Sequence, residues 1–247
     1  MITARAIEGL GEIERGADLA ALIVAAGADL QEGDVVVIAH KAVSKAEGAV
    51  RLLSDVRPGA RAHELATEQA RDPRLVQVIL DQSRSLIRAT HGVLICETTH
   101  GFICANAGVD LSNVPGDEVA IVLPSDPDAS ARALRRRLAE LTGVTPAVLI
   151  TDSFGRAWRV GQCDVAIGCA GLVPAEDWRG RADAHGRVLR ATLIAVADEL
   201  AAAADLARRK DAGCPVVLVR GAAHAVCAQD GPGAVSLIRS AEHDLFR

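Results

Sequence analysis

Short runs of consecutive apolar residues alternate along the chain with stretches in which apolar positions recur every three or four residues. Val35-Val36-Val37-Ile38, introduced by Gly33-Asp34, is a continuous apolar run of strand length and predicts a buried strand. Ahead of it, between Asp18 and Leu30, the positions Leu19, Leu22, Ile23 and Ala26 fall on one face of a helix. Gly92 to Glu97 and Gly101 to Ala105 are apolar runs around Thr98-Thr99-His100, which predicts an antiparallel hairpin. Val119 to Leu123 is a further strand, and Asp126-Pro127 caps a helix that continues through Thr142. Ala147 to Ile150 and Val165 to Cys169 read as strands, Gly171 to Gly186 as a loop rich in Gly, Pro and charge, and Val188 to Val196 as another apolar run. A helix from about Asp198 to Arg209 and a strand from Pro215 to Val219 follow. The loop has the composition of a mobile lid.

Strands, hairpins and helices mixed without a steady strand–helix–strand rhythm favour an α+β fold with antiparallel hairpins over a doubly wound sheet. The 247 residues, half of them hydrophobic, can bury a substantial core, and nothing in composition sets an internal boundary, so the chain is read as one unit from 1 to 247. Apolar stretches are broken by charge well before the ~18 residues a membrane helix needs, and Met1-Ile2-Thr3-Ala4-Arg5 lacks a signal-peptide apolar core. The expected location is the cytoplasm. A net charge of -5 argues against a nucleic-acid binder, which needs a basic surface to displace counterions. Of two dense basic runs, Arg135-Arg136-Arg137 lies on the helix whose inward positions are Leu134, Leu138 and Leu141, and is expected to be a solvated face. The six cysteines form no Cys-x-x-Cys pair, which predicts reduced thiols filling core volume.

The most telling chemistry lies in Thr151-Asp152-Ser153-Phe154-Gly155-Arg156-Ala157-Trp158-Arg159, closing with Gly161-Gln162-Cys163-Asp164. Asp152 and Ser153 are expected at the end of the 147–150 strand, before a glycine turn and two arginines. Strand ends are where α/β-type folds place chemistry. Asp oxygens suit Mg²⁺ or Mn²⁺, and arginines suit phosphate or carboxylate. Arg156, Trp158 and Arg159 could form a clamp for such a group, although two arginines beside a turn are also a common structural motif. A comparable segment runs from Cys104 through Asn106, Gly108 and Asp110 to Ser112-Asn113-Val114-Pro115-Gly116, and its Asp110 could converge with Asp152 on one metal. Ordinary turn chemistry accounts for either segment alone. The common phosphate loop is absent, and Gly9-Leu10-Gly11 lacks the third glycine of a dinucleotide fingerprint, so any phosphate site must be built otherwise, with Lys45 the best cation.

Taken in order, Val43-Ser44-Lys45-Ala46-Glu47-Gly48, Ala107-Gly108-Val109-Asp110 with Ser112-Asn113-Val114, Thr151-Asp152-Ser153-Phe154-Gly155-Arg156, Asp164-Val165-Ala166-Ile167-Gly168 and Val196-Ala197-Asp198-Glu199-Leu200 resemble the motifs of the coenzyme F420-0:L-glutamate ligases. The resemblance implies a two-part α+β subunit in an intertwined homodimer. It implies small-molecule substrates, namely F420-0, L-glutamate and GTP, with Mg²⁺ or Mn²⁺ and K⁺ as a further candidate cation, and neither nucleic acid nor membrane as partner. By the same resemblance Asp110, Asp152 and Ser153 would hold metal. Leu10, Gly11, Glu12, Ile13, His40, Lys45 and Asn113 would meet the nucleotide, and Lys45, Arg156 and Asp164 are the expected catalytic residues, with Asp164 and Gln162 also weighed as metal-supporting arms.

Joining an amine to a carboxylate in water requires activation, which a nucleoside triphosphate supplies by forming an acyl phosphate that the amine attacks. Mg²⁺ or Mn²⁺ with Lys and Arg compensates the polyphosphate charge. Three alternatives stand beside this reading: a paralogous ligase with another acceptor, a metal-dependent phosphohydrolase using Asp110, Asp152 and Asp164, and a non-catalytic nucleotide- or deazaflavin-binding protein. Two segments depart from the family pattern. Ala39-His40-Lys41 stands where Thr-Ser-Lys is usual, and Arg208-Arg209-Lys210 where Met-Gly-Lys or Met-Gly-Gln is usual. The second run has two readings, stabilisation of a helix C-terminus by its dipole or contact with nucleotide phosphates.

Overall fold

The computed structural model describes residues 1–111, 118–209 and 211–244. A five-stranded mixed sheet forms its frame, in the order β1 (Thr3–Ile7), β12 (Val216–Arg220), β2 (Val35–Ala39), β8 (Ala147–Arg156) and β9 (Arg159–Ala170). Only β2 and β8 pair in parallel; the other three pairings are antiparallel. Helices cover both faces, which is why β2 is apolar at every position rather than at alternate ones. Val36 and Ile38 join Val148 and Ile150 under α1 (Leu19–Ala25), α2 (His40–Glu47) and α5 (Pro127–Thr142), while Val35 and Val37 join Ala147 and Leu149 under α6 (Val196–Ala207). Each fully buried Leu or Ile in these layers contributes about 1.5–3 kcal/mol.

A second core sits beside the sheet. It is built from α3 (Ala60–Gln69), α4 (Pro73–Asp81), the pair β3 (Val50–Leu52) and β7 (Val119–Ile121), and the three-stranded meander β4 (Ser83–Thr90), β5 (Val93–Thr98) and β6 (Ile103–Ala105). The remaining strands, β10 (Glu176–Asp177) and β11 (Leu193–Ile194), form a short pair of their own. The fold is α+β with mixed sheets, as expected, and the hairpin around Thr98-Thr99-His100 is present as β5 and β6.

Four expectations are corrected. The first helix ends at Ala25 and not at Leu30, because Gly27 takes a left-handed φ of 81° and breaks the ladder. The 147–150 strand does not end before Asp152: β8 runs on to Arg156, turns at residues 157–158, with Trp158 left-handed at φ 57°, and returns as β9, so that Gly155 lies within a strand and makes no turn. Arg135 is not solvated; it is buried and donates to the carbonyls of Pro146, Cys227 and Ala228 and to Asp230, while Arg136 and Arg137 keep the exposed face. Gly171 to Gly186 leaves β9 at the end of the sheet away from Ala39 and Thr151, and does not lie over the cavity described below. The core-filling expectation for the cysteines holds for Cys96, Cys104, Cys169 and Cys214, which are buried, and not for Cys163 and Cys227, which are half-buried.

Candidate active site

Where β2 and β8 end their parallel pairing, at Ala39 and Thr151, the chain opens a cavity of about 760 Å³. α2 begins there directly after β2, with Ala39 as its N-cap in extended conformation, so its first turn lines the cavity. Helical spacing then sets two pairs: Lys41 and Lys45 reach the cavity, while buried His40 lies over Ser44, with Nδ1 3.4 Å from the hydroxyl oxygen. Gly48, at φ 73°, closes the helix. Lys45 Nζ pairs with Glu12 Oε1 at 2.6 Å, tying α2 to the segment Gly11-Glu12-Ile13 that forms one rim.

Asp110 arrives from the second core. Asn106, Ala107 and Gly108 all take left-handed φ, near 53°, 52° and 71°, a turn that two non-glycine residues adopt only when the surroundings hold it. Arg71 does so by donating to Asn106 Oδ1 at 2.6 Å, and Gly108 leaves the room that a Cβ would take from Leu123. Asp110 then bridges Ile121 through two backbone hydrogen bonds and presents Oδ2 2.6 Å from Lys41 Nζ.

The opposite wall comes from the hairpin of β8 and β9. A register irregularity between Ile150 and Thr151 shifts the hairpin's pairing as it enters the cavity. Asp152 Oδ1 lies 3.3 Å from His40 Nε2, a contact too poorly aligned for a hydrogen bond. Ser153 Oγ donates to Asp164 Oδ1 at 2.6 Å, Thr151 Oγ1 donates to Asp164 Oδ2 at 2.9 Å, and Arg208 Nη1 donates to the same Oδ2 at 3.0 Å. Asp164 is 1% exposed and Arg208 8%. Burial lowers the guanidinium's pKa, and the charges of Asp164 and Asp205 oppose that shift.

Of the residues expected from sequence, the structure thus brings together Gly11, Glu12, Ile13, His40, Lys45, Asp110, Asp152, Ser153, Gln162 and Asp164 around one cavity. Leu10 is buried in the core behind that rim. Arg156 is placed elsewhere, at the exposed far end of the hairpin, where it donates to Val160 O at 2.7 Å; Trp158 beside it is 81% exposed and does not line the cavity. Asn113 and Lys210 lie outside the described residues. Arg209 lines the cavity and pairs with Asp211. Three features were missed by sequence reasoning: the Lys41–Asp110 pair, Thr151, and the contact of Arg208 with Asp164. Only the i, i+4 spacing of Lys41 and Lys45 could have flagged the first, and nothing local joins Arg208 to Asp164, 44 positions away.

Comparison with known proteins decides the kinship. The family model for F420-0:gamma-glutamyl ligase matches residues 9–221. The chain belongs to that family. It is 46% identical to the coenzyme F420:L-glutamate ligase of Methanothermobacter thermautotrophicus over 98% of this chain and 97% of the relative. The proteins of that name from Methanopyrus kandleri and Haloarcula marismortui are 48% and 43% identical, over 96% and 98% of this chain and 94% of each relative. Membership places the chain among the carbon–nitrogen ligases, and the matched span contains every described residue of the cavity. No helix among the described residues is long and apolar enough to cross a membrane.

Proposed function

We propose that this family member joins L-glutamate to the lactyl carboxylate of F420-0, and further glutamates through γ-linkages, using GTP and a divalent cation. The carboxylate would attack the γ-phosphorus of GTP, giving an acyl phosphate and GDP. The glutamate amine would then attack the acyl carbon, form the amide, lose a proton and release phosphate. One observation carries the nucleotide and metal parts of the reading, namely the charge balance of the cavity. Among the described residues its lining holds four cations (Lys41, Lys45, Arg208 and Arg209) against four acids (Glu12, Asp110, Asp152 and Asp164), so these side chains by themselves supply no net positive charge for a triphosphate. Phosphoryl transfer needs that charge neutralised where it develops.

Asp110, Asp152 and Ser153 fit a hard divalent cation by the chemistry of the set: two carboxylates and a hydroxyl, all oxygen donors facing one cavity. Because Ser153 gives its proton to Asp164, its oxygen meets any further partner as an acceptor only. Among the described residues no cluster of three His, Cys, Asp or Glu side chains suited to a metal occurs, so a bound ion would draw the rest of its coordination from water and nucleotide, as Mg²⁺ commonly does. Such an ion would supply charge compensation for the polyphosphate. Lys45, Gly11 to Ile13, His40 and Asn113 are proposed to meet the GTP, and the first turn of α2 adds its backbone N–H groups and dipole at the same mouth. A homodimer belongs to the same proposal; the projecting hairpin, with Trp158 81% and Val160 96% exposed, supports it.

The competing reading of these acids and cations is GTP hydrolysis. Release of GDP measured with and without glutamate and F420-0 separates the two. The ligase reading expects turnover only when both co-substrates are present; phosphate release at the same rate from GTP alone would replace it with a phosphohydrolase.

A further inference from the structure

His40 opens α2 directly after β2, lines the cavity and is 2% exposed. Its ring is held from one side, with Nδ1 3.4 Å from Oγ of Ser44, a fully buried residue one helical turn further on. With the ring proton on Nδ1, donating to that oxygen, Nε2 is left as a bare lone pair. Nε2 is buried, and among the described residues it has no hydrogen-bond partner. A buried nitrogen in this state costs free energy comparable to a lost hydrogen bond, so its place in the fold calls for a ligand.

The neighbour of Nε2 narrows the choice. Asp152 Oδ1 stands 3.3 Å away, and Ser153 N donates to the same oxygen at 2.8 Å, fixing the carboxylate beside the ring. A phosphate oxygen brought to Nε2 would stand against this carboxylate, whereas a cation brought there would be shared with it. The spacing agrees. Neighbouring ligands of an octahedral ion, each about 2.0–2.1 Å from it, are about 3 Å apart, and both then point at the ion and not at one another. Nitrogen and oxygen at close range but misaligned as a hydrogen bond are what such a pair shows. An imidazole whose other nitrogen gives its proton to a fixed partner is also the usual form of a ligating histidine.

We infer that His40 is a metal ligand, its Nε2 sharing the divalent ion with the carboxylate of Asp152. The inference rests on the metal-dependent reading above and deepens it. His40 takes a coordination place otherwise left to water, and its contact with GTP runs through the ion.

Electron–nuclear double resonance of Mn²⁺ bound to the full chain with GTP reads the ligands of the ion without reference to activity. Labelling the chain with ¹⁵N in histidine alone separates an imidazole ligand from the nitrogens of guanine. The labelled wild type should show a ¹⁵N coupling to the ion, and His40 is the only histidine among the described residues that line the cavity. His40→Gln should lose that coupling and bind Mn²⁺ about tenfold more weakly or worse. Bound Mn²⁺ without histidine coupling in the labelled wild type overturns the inference and leaves the metal-dependent reading standing; this arm needs no variant to fold. A coupling that persists in folded His40→Gln assigns another histidine and overturns it as well. No Mn²⁺ bound, with GTP or without, removes the metal reading of the function and the inference with it.

Discussion

Replacing Lys45 by alanine separates a phosphate-binding cation from a surface ion pair. In the structure Lys45 Nζ lies 2.6 Å from Glu12 Oε1, and Glu12 is 64% exposed. A pair with so exposed a partner contributes at most about 1 kcal/mol to folding, because water screens it and the side chains lose freedom in making it. For a protein of this length that is a melting-temperature change of at most roughly 2–4 °C. If Lys45 instead donates to a nucleotide phosphate in the sheltered mouth of the cavity, its loss removes a charge-assisted hydrogen bond of about 1.5–3 kcal/mol from the complex. At 1.4 kcal/mol per tenfold, GTP should bind about 10- to 150-fold more weakly. The assay pairs calorimetric titration with GTP and Mn²⁺ with a thermal melt of the free protein. Glu12→Gln is the control, since it removes the same ion pair while leaving the cation. A Lys45→Ala protein whose GTP affinity stays within about twofold of wild type, whatever its melting temperature, would refute the assignment.

Asp110→Asn and Asp152→Asn should each lower turnover by more than the ~10–100-fold typical of a lost supporting group, because a neutral amide is a poor ligand for a hard cation; circular dichroism should show both folded, and near-normal kinetics at limiting Mn²⁺ would count against the metal assignment. Arg135→Leu should destabilise the fold by about 2–4 kcal/mol without touching the cavity, since it strands the carbonyls of Pro146, Cys227 and Ala228; a melt within 2 °C of wild type, on a scale of roughly 2–4 °C per kcal/mol, would contradict that. Burial, with the nearby charges of Asp152 and Asp128, pushes the thiols of Cys104 and Cys169 up to about 12 from 9.0. The unfolded chain therefore loses these protons first, so stability should be unaffected below pH 9 and fall as pH rises from there toward 12. Alkylation near pH 8 should label them only in denaturant; rapid labelling of the folded protein would show that they are not buried.

The framework was legible wherever one local pattern dominated. Val35 to Ile38 announced a strand covered on both faces, and Asp126-Pro127 announced α5, whose N-cap carboxylate does accept from Ala129 N. The pattern misled where local chemistry had a tertiary owner. Asp152 and Ser153 looked like a strand end because charge interrupts the apolar run, yet β8 continues past the sheet's core and carries them into a cavity that wants polar groups. Arg135 looked solvated because its neighbours are, but its helix turns that one position onto buried carbonyls. Likewise the basic run at Arg208 suggested a helix dipole or a nucleotide contact. Its first member, Arg208, also pairs with Asp164, a contact made by the packing of α6 on the sheet rather than by any spacing.

The central claim is that this cavity makes an amide bond at the expense of GTP. Incubation of the purified chain with F420-0, L-glutamate, GTP and Mn²⁺, followed by mass spectrometry of the deazaflavin, tests it most directly. The account predicts F420-0 heavier by one or more glutamyl residues, with one GDP and one phosphate formed per residue added. Unmodified F420-0 from a folded, GTP-binding protein would contradict it.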